Sequence, residues 1–439
     1  MGKEPVGKLL LKYSIPSIVG MMVVSLYNIV DRVFIGQGVG PMAISGLALT
    51  FPLMNMVAAV GTLVGVGAST RISIVLGMKD VKWAKNILGN ALFLTFAMSA
   101  LLITPSMIWL DEILHLFGGS DLTIPYAKDY LRIVIPGSVL TNLSFSFGGM
   151  MRAAGFPKKS MLVNLIGIGL NFILDPIFIF GFGMEIQGAA WATVISMFVS
   201  TLFVMRHFAD KRNEVHFERE GFRLKTRIIR NIVSIGLAPF LMNTAGCMVN
   251  IILNRQLFDK GGDLAIGAFG IINSYGALVV MMIMGLCQGM QPIVGYNYGA
   301  KRFKRMKDTF LLSVKVSVAI MCFGFLLGEL APGLLVWLFT PDETMREMTV
   351  PGLRIVFAFF PVIGFQIIVA QFHQSIGMAK EAIFMSLSRQ VIFLMPLICI
   401  FGRVWGLNGI WWALPVSDAI ASLTALYFLN RVKKMFYPR

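Results

Sequence analysis

Twelve stretches of this chain are long and apolar enough to cross a bilayer, and no other feature narrows its possible folds so far. They centre near residues 25, 58, 95, 140, 170, 198, 242, 280, 319, 362, 391 and 418. A crossing helix needs ~20 mostly apolar residues. Twelve of them take roughly 240 of the 439 residues and leave the rest for helix ends, loops and tails. Composition agrees: 56% of residues are hydrophobic and only 14% charged, where soluble domains carry about a quarter. A secreted disulfide scaffold, a disordered chain and a soluble nucleic-acid binder are excluded. The partner implied is membrane lipid, not nucleic acid.

The net charge of +16 sits in short basic clusters between the apolar runs, which is a topology signal. Lys3, Lys8 and Lys12 precede the first span, and Lys79, Lys82 and Lys85 follow the second. Arg152, Lys158 and Lys159 follow the fourth, and a polar stretch from Arg206 to Arg230 follows the sixth. Lys301 to Lys307 follow the eighth, Lys380 the tenth, and Arg431, Lys433 and Lys434 close the chain. The alternate breaks are neutral or acidic, with Asp111, Glu112 and Asp121 in one and Asp342, Glu343 and Glu347 in another. The positive-inside rule puts both termini and the 206–230 stretch in the cytoplasm of a multi-pass cell-membrane protein. Cys247, Cys287, Cys322 and Cys399 lie inside apolar runs without metal or redox spacing and read as small core residues.

The chain also repeats itself. Ala43-Ile44 recurs as Ala265-Ile266, Gly67 as Gly289, Gly77 as Gly299, Lys79 as Lys301 and Gly155 as Gly377. Leu131-Arg132-Ile133-Val134 recurs as Leu353-Arg354-Ile355-Val356, so every pair is 222 residues apart. After a slip of one, Gly188 matches Gly409 and Trp191-Ala192 matches Trp412-Ala413. Six spans per half is an even number, so both halves insert in the same sense. The expected fold is therefore an all-α integral membrane protein of twelve transmembrane helices. Its two parallel six-helix lobes are related by a pseudo-two-fold axis along the membrane normal. Residues 1–208 form the first lobe, 209–226 a cytoplasmic linker and 227–439 the second. Paired bundles around a cavity suit alternating access, so transporter is the leading class.

Ionisable groups within a span cost ~2.5–3.5 kcal/mol on insertion scales and are functional candidates by default. Asp31 lies seven residues, or ~10 Å, below the outer end of span one at Gly38. Asp175 in span five and Thr193 in span six both fall ~9 Å below the same surface. Asn164, Asn171 and Asp175 share one helical face, and Tyr27 and Asn28 flank Asp31. Two carboxylates in low dielectric favour a proton or a cation between them, as a coupling-ion site requires. The alternative is that either Asp only hydrogen-bonds a kinked helix or pairs with Arg32. In the second half the partners of these residues are apolar, and Gln288 and Asp418 are the candidates there for cavity or site support. His373 reads as a satisfied core histidine.

The run Tyr27-Asn-Ile-Val-Asp31-Arg-Val-Phe-Ile-Gly36, the glycine at Gly77 with its basic follow-up, and Asn171-Phe-Ile-Leu-Asp175-Pro176 resemble the multidrug and toxic compound extrusion family, in its prokaryotic branch. The resemblance covers nearly the whole chain. It implies a secondary antiporter that exports mainly cationic, amphipathic drugs in exchange for sodium or protons. It also implies a coupling site at Asp31, Asn171, Asp175 and Thr193, with sodium as the metal if sodium is the ion, and a span-one bend at Pro16. No cofactor beyond that ion is implied, no enzyme chemistry, and no partner chain, the protein acting as a monomer. One departure is the lack of the acidic residues that one branch carries in spans seven and ten. A flippase for a lipid-linked saccharide, of the same superfamily, is the alternative. It would need a cationic cavity for pyrophosphate, whereas the intramembrane charges here are mainly acidic. A lipid enzyme would need clustered His, Ser or carboxylate chemistry, and His115, His207, His216 and His373 are scattered.

The charge alternation makes a direct test. A cysteine placed at Gly118 should react with an impermeant reagent added to intact cells, and one at Glu214 should not. Labelling at Glu214 would overturn the orientation.

Overall fold

Hydrocarbon offers the backbone no hydrogen-bond partners, so each crossing must satisfy its own amides, and every regular element among the described residues is helical. In the computed structural model of the chain the described backbone covers residues 1–38, 41–117, 121–337 and 343–436, and side chains at 27–38, 41–45, 48, 263 and 433–436 lie outside the described set. The first half holds α1 (Val6–Gly38), α2 (Pro41–Gly77), α3 (Val81–Ile108), the short α4 (Leu110–Leu116), α5 (Ile124–Ala153), α6 (Pro157–Pro176) and α7 (Glu185–Ala209). The second holds α8 (Thr226–Gly299), α9 (Phe303–Leu330), the short α10 (Pro332–Trp337), α11 (Glu343–Phe357), α12 (Phe360–Ser375), α13 (Ala379–Leu387) and α14 (Met395–Phe436).

Ten helical stretches have the length and apolarity to cross, and α11 with α12, bent by 49°, makes an eleventh. The stretch Ala379–Val432 has 54 residues, about 80 Å of helix, against a hydrocarbon core of ~30 Å. It turns at Gly406, whose φ of 60° and ψ of −137° suit only glycine, and so counts as two. Twelve crossings result among the described residues.

The repeat is visible in backbone geometry. α2 stops with the amide of Asp80 bonded to the Val75 carbonyl and that of Lys79 to Leu76. α8 stops in the same way, Arg302 to Asn297 and Lys301 to Tyr298. This double bond closes the free carbonyls at a helix C-terminus and needs a left-handed residue. Lys79 (φ 63°) and Lys301 (φ 57°) supply it without being glycine. The next such turn is also duplicated, at Gly155 and Gly377.

Packing divides the chain into two units, one of Met1–Ile18 with Leu241–Arg439 and the other of Val19–Phe240. The breaks fall at 18/19 and 240/241, not at the linker boundaries near 208 and 226, because α1 and α8 each begin in one unit and continue in the other. The cause is a pair of glycine-lined crossings. A Cβ on Gly67 would meet the Ile232 carbonyl, and one on Gly236 would meet the Leu63 carbonyl, so α2 and the start of α8 touch backbone to backbone. In the other unit Gly285 lies against Ile18 and Gly289 against Ser14, joining α8 to the start of α1. Leu63 and Gly67 are 222 residues before Gly285 and Gly289, so one crossing is built twice. Small residues at such crossings let helices approach where dispersion and weak polar contacts replace the hydrophobic effect.

The linker is seated, not free. Asn90, fully buried on α3, donates through Nδ2 to the carbonyls of Gly221 (3.2 Å) and Arg223 (3.0 Å) and accepts from the Lys225 amide (2.9 Å). Phe217 packs on Phe147 and Phe208. At the opposite end of the same unit, Lys128 donates to Asp111 (2.6 Å) and holds its carboxyl below the usual range.

Adding a methyl at either crossing should cost roughly 1–3 kcal/mol of overpacking strain. Gly67→Ala and Gly289→Ala should each lower the thermal midpoint in detergent. Gly169→Ala, where a Cβ meets nothing within 4 Å, should leave it unchanged or raised, since alanine stabilises a helix interior by roughly 0.5–1 kcal/mol. Equal midpoints for all three would show that these crossings do not limit the packing.

Candidate functional site

α6 begins with Pro157 at its first position, where no amide is lost, and carries Asn164, Asn171 and Asp175 at helical spacing. Asp175 is fully buried and Asn171 is 2% exposed. Four residues apart, they meet on one face, the Asn171 Nδ2 donating to the Asp175 Oδ1 at 3.2 Å. The Asn171 Oδ1 is buried with no hydrogen-bond partner among the described residues. A buried, unspent amide oxygen costs of the order of 1–3 kcal/mol, so something must repay it or the site is strained.

Pro176 follows Asp175 and removes one backbone donor. The helix accommodates it by widening into a π turn over Ile177–Gly181. Such single turns mark functional positions often enough to be worth noting beside a buried carboxylate. α7 covers this face at close range. A Cβ on Gly167 would meet the Ser200 hydroxyl, and one on Gly188 would lie 2.9 Å from the Phe178 carbonyl carbon. Both glycines therefore fix where α7 lies on α6. Thr193 on α7 is half-buried, and its hydroxyl donates to the Ala189 carbonyl of its own helix (3.0 Å). That bond leaves the oxygen's lone pairs available as acceptors.

Of the residues singled out from sequence, Asn171 and Asp175 are brought into contact, and Thr193 stands on the helix packed against theirs. Asn164 is half-buried, with its Nδ2 3.9 Å from where a Cβ on Gly20 would be. The side chains of Asp31, Tyr27 and Asn28 lie outside the described residues. Pro16 is buried within α1, two residues before that helix passes from one unit to the other. The donor set is all oxygen: a carboxylate, an amide and a hydroxyl. That chemistry suits a hard cation or a proton and has none of the softness a transition metal prefers. Among the described residues no three His, Cys, Asp or Glu side chains cluster as a metal site.

The other unit is different in kind. Asp418, 6% exposed on α14, accepts from the Arg389 Nε at 2.6 Å. Arg389 stands in a second π turn, Ser388–Leu394. The charge there is neutralised by a fixed partner. Sequence reading missed Arg389, because a basic residue in span eleven has no counterpart in the first half: Gly167 occupies its repeat position. Gln288 is half-buried on α8, and His373 is buried with its Nδ1 2.9 Å from the Val369 carbonyl.

The Arg389 pair makes a cycle. Asp418→Asn strands a largely buried guanidinium and should destabilise by roughly 3 kcal/mol, the low end for a broken buried pair because Arg389 keeps 27% exposure. Adding Arg389→Gln should recover most of the loss in thermal midpoint. No recovery would show that the two side chains act separately.

The MatE family model matches residues 16–177 and again 235–400. The chain is 30% identical over 429 residues to the multidrug export protein MepA of Staphylococcus aureus (strain NCTC 8325 / PS 47), covering 97% of this chain and 93% of that one. To MepA of Staphylococcus saprophyticus it is 28% identical over 425 residues, with the same coverage. Among solved structures, a MATE crystal structure in the bent conformation superposes with a TM-score of 0.93 at 24% identity, over 98% of this chain and 96% of that one. An outward-facing multidrug resistance MATE transporter of the MOP superfamily gives 0.92 at 24%, over 99% and 97%.

Proposed function

The chain belongs to the MatE family, and on that premise we propose that it exports amphipathic, mainly cationic drugs or toxic organic compounds in exchange for sodium or protons. It is a membrane transporter and not an enzyme. MepA of S. aureus is a multidrug export protein, and this chain aligns with nearly all of it.

The observation that carries the coupling reading is the buried pair on α6. Asp175 brings a negative charge to a place without solvent, and the Asn171 Oδ1 beside it is an acceptor with no donor among the described residues. A cation or proton arriving there neutralises the one, and sodium would also use the other. Asp31 and Thr193 complete the proposed site, because their sequence positions put them at the depth of Asp175. Tyr27, Asn28 and Asn164 support it. A drug cation and the coupling ion need not share atoms to compete. Each stabilises a different state of the same charged cavity, and linkage does the rest.

The proposed movement is alternating access between the two lobes, with both termini in the cytoplasm and the protein acting as a monomer. Two helices pass between the packed units, at 18/19 and at 240/241, and each has a proline just before the passage, Pro16 in one and Pro239 in the other. A proline frees a carbonyl four residues earlier and lets a helix bend there. These are the places where one unit can tilt without breaking its own packing.

Asp31→Asn and Asp175→Asn each remove a charge with little change of shape. Each should abolish ion-gradient-driven dye efflux from proteoliposomes while dye binding in detergent persists, weakened. The double substitution should be no worse than either alone if the pair acts as a unit. Running the assay under separate sodium and pH gradients identifies the ion. Wild-type rates for Asp31→Asn under every gradient would make the site structural.

A further inference from the structure

We propose that the groove where α6 begins and α7 ends is a binding site for one anionic phospholipid, the phosphate held by Lys159, Arg206 and Arg212. The groove lies wholly within one packed unit and has a volume of about 690 Å³, in the range of built small-molecule sites. Its two ends differ chemically. Toward the linker it is lined by Lys159, Arg206 and Arg212, and toward the membrane interior by Leu162, Ile166 and Phe203. Leu162 is 54% exposed and Phe203 46%, so an apolar wall opens to the place where acyl chains lie. A head and tail of matching polarity is what such a wall accommodates.

None of Lys159, Arg206 and Arg212 has a carboxylate partner among the described residues, and all three are exposed. The acid in the groove, Asp210, turns an oxygen to the Arg212 backbone amide at 3.0 Å. Lys159 also stands in the first turn of α6, whose preceding residue, Phe156, gives no side-chain cap. Uncapped first-turn amides and a positive dipole end repel a lysine and attract an anion. The Lys159 ammonium rests over the Phe156 ring, 4.9 Å from its centroid, and a bound anion would offset the unfavourable dipole there. His207, also in the wall, has a buried Nε2 without a hydrogen-bond partner among the described residues.

Basic pockets between helices at a membrane face hold anionic lipid headgroups by this combination of charge and apolar wall. The alternative source of the same phosphate chemistry is a free anion, which would make no use of Leu162 and Phe203. The inference needs the chain to lie in a bilayer. It does not depend on drug export or on the coupling ion, and its test involves neither.

The test uses the purified full-length chain in neutral detergent. Phosphatidylglycerol, phosphatidylcholine and inorganic phosphate are titrated separately, and bound species are read by native mass spectrometry. Phosphatidylglycerol should bind at least about tenfold more tightly than phosphatidylcholine, and inorganic phosphate should not compete at equal concentration. The variant Lys159→Gln/Arg206→Gln/Arg212→Gln should lose that preference. The variant Arg223→Gln/Arg227→Gln/Arg230→Gln, which removes as many exposed charges on the same linker side, should keep it. An unchanged preference in the first variant, an equal loss in the second, or displacement by phosphate would overturn the lipid site. All the substituted side chains are exposed, and circular dichroism checks that both variants fold.

Discussion

Hydrocarbon supplies no hydrogen bonds, and the rest of this protein follows from that single fact. It makes every crossing a helix and makes helix ends and helix breaks the expensive places. The chain treats them alike in both halves, with the doubly bonded stops at Lys79 and Lys301 and again at Gly155 and Gly377. Serines and threonines within the spans turn back on their own helices, as Ser73 does to Ser69 and Thr95 to Ala91. With the backbone settled locally, the side chains decide how helices meet, and glycines carry the closest contacts.

The same constraint gives the pair on α6 its meaning. A carboxylate and an amide oxygen buried together are costly in lipid, and natural sequences keep such groups where something uses them. The contrast between halves sharpens this. In the second unit the acid at Asp418 has its own guanidinium and is a finished electrostatic unit. In the first, the amide oxygen of Asn171 has no donor among the described residues. The two halves of one repeated scaffold thus carry their buried charge differently.

Much of this was readable in the letters. The span count needed only apolar length, and the repeat needed only a constant offset, which the family model's two matches repeat. Asn171 and Asp175 were found because 3.6-residue periodicity puts positions four apart on one face. Three things were not legible. The exchange of helix starts between units depends on which helix each glycine faces, and a glycine carries no direction in sequence. Arg389 sat in a span read for acids. Asn90 looked like one more polar residue in an apolar run, yet it holds the linker through three backbone groups. Contacts between residues 131 to 135 positions apart leave no periodic trace.

Because the helix starts are exchanged, one packed unit is made of two separate lengths of chain, and the other, Val19–Phe240, runs through the linker into the start of α8. Residues 1–18 belong with a body that begins at residue 241, so during synthesis the first helix enters the membrane long before most of its neighbours exist. Its Ser14 and Ile18 face must wait for Gly285 and Gly289. Cutting the linker therefore does not divide the chain along the boundary between the two bodies. Each severed half would keep a helix start that belongs to the other, and would carry the means of recognising it.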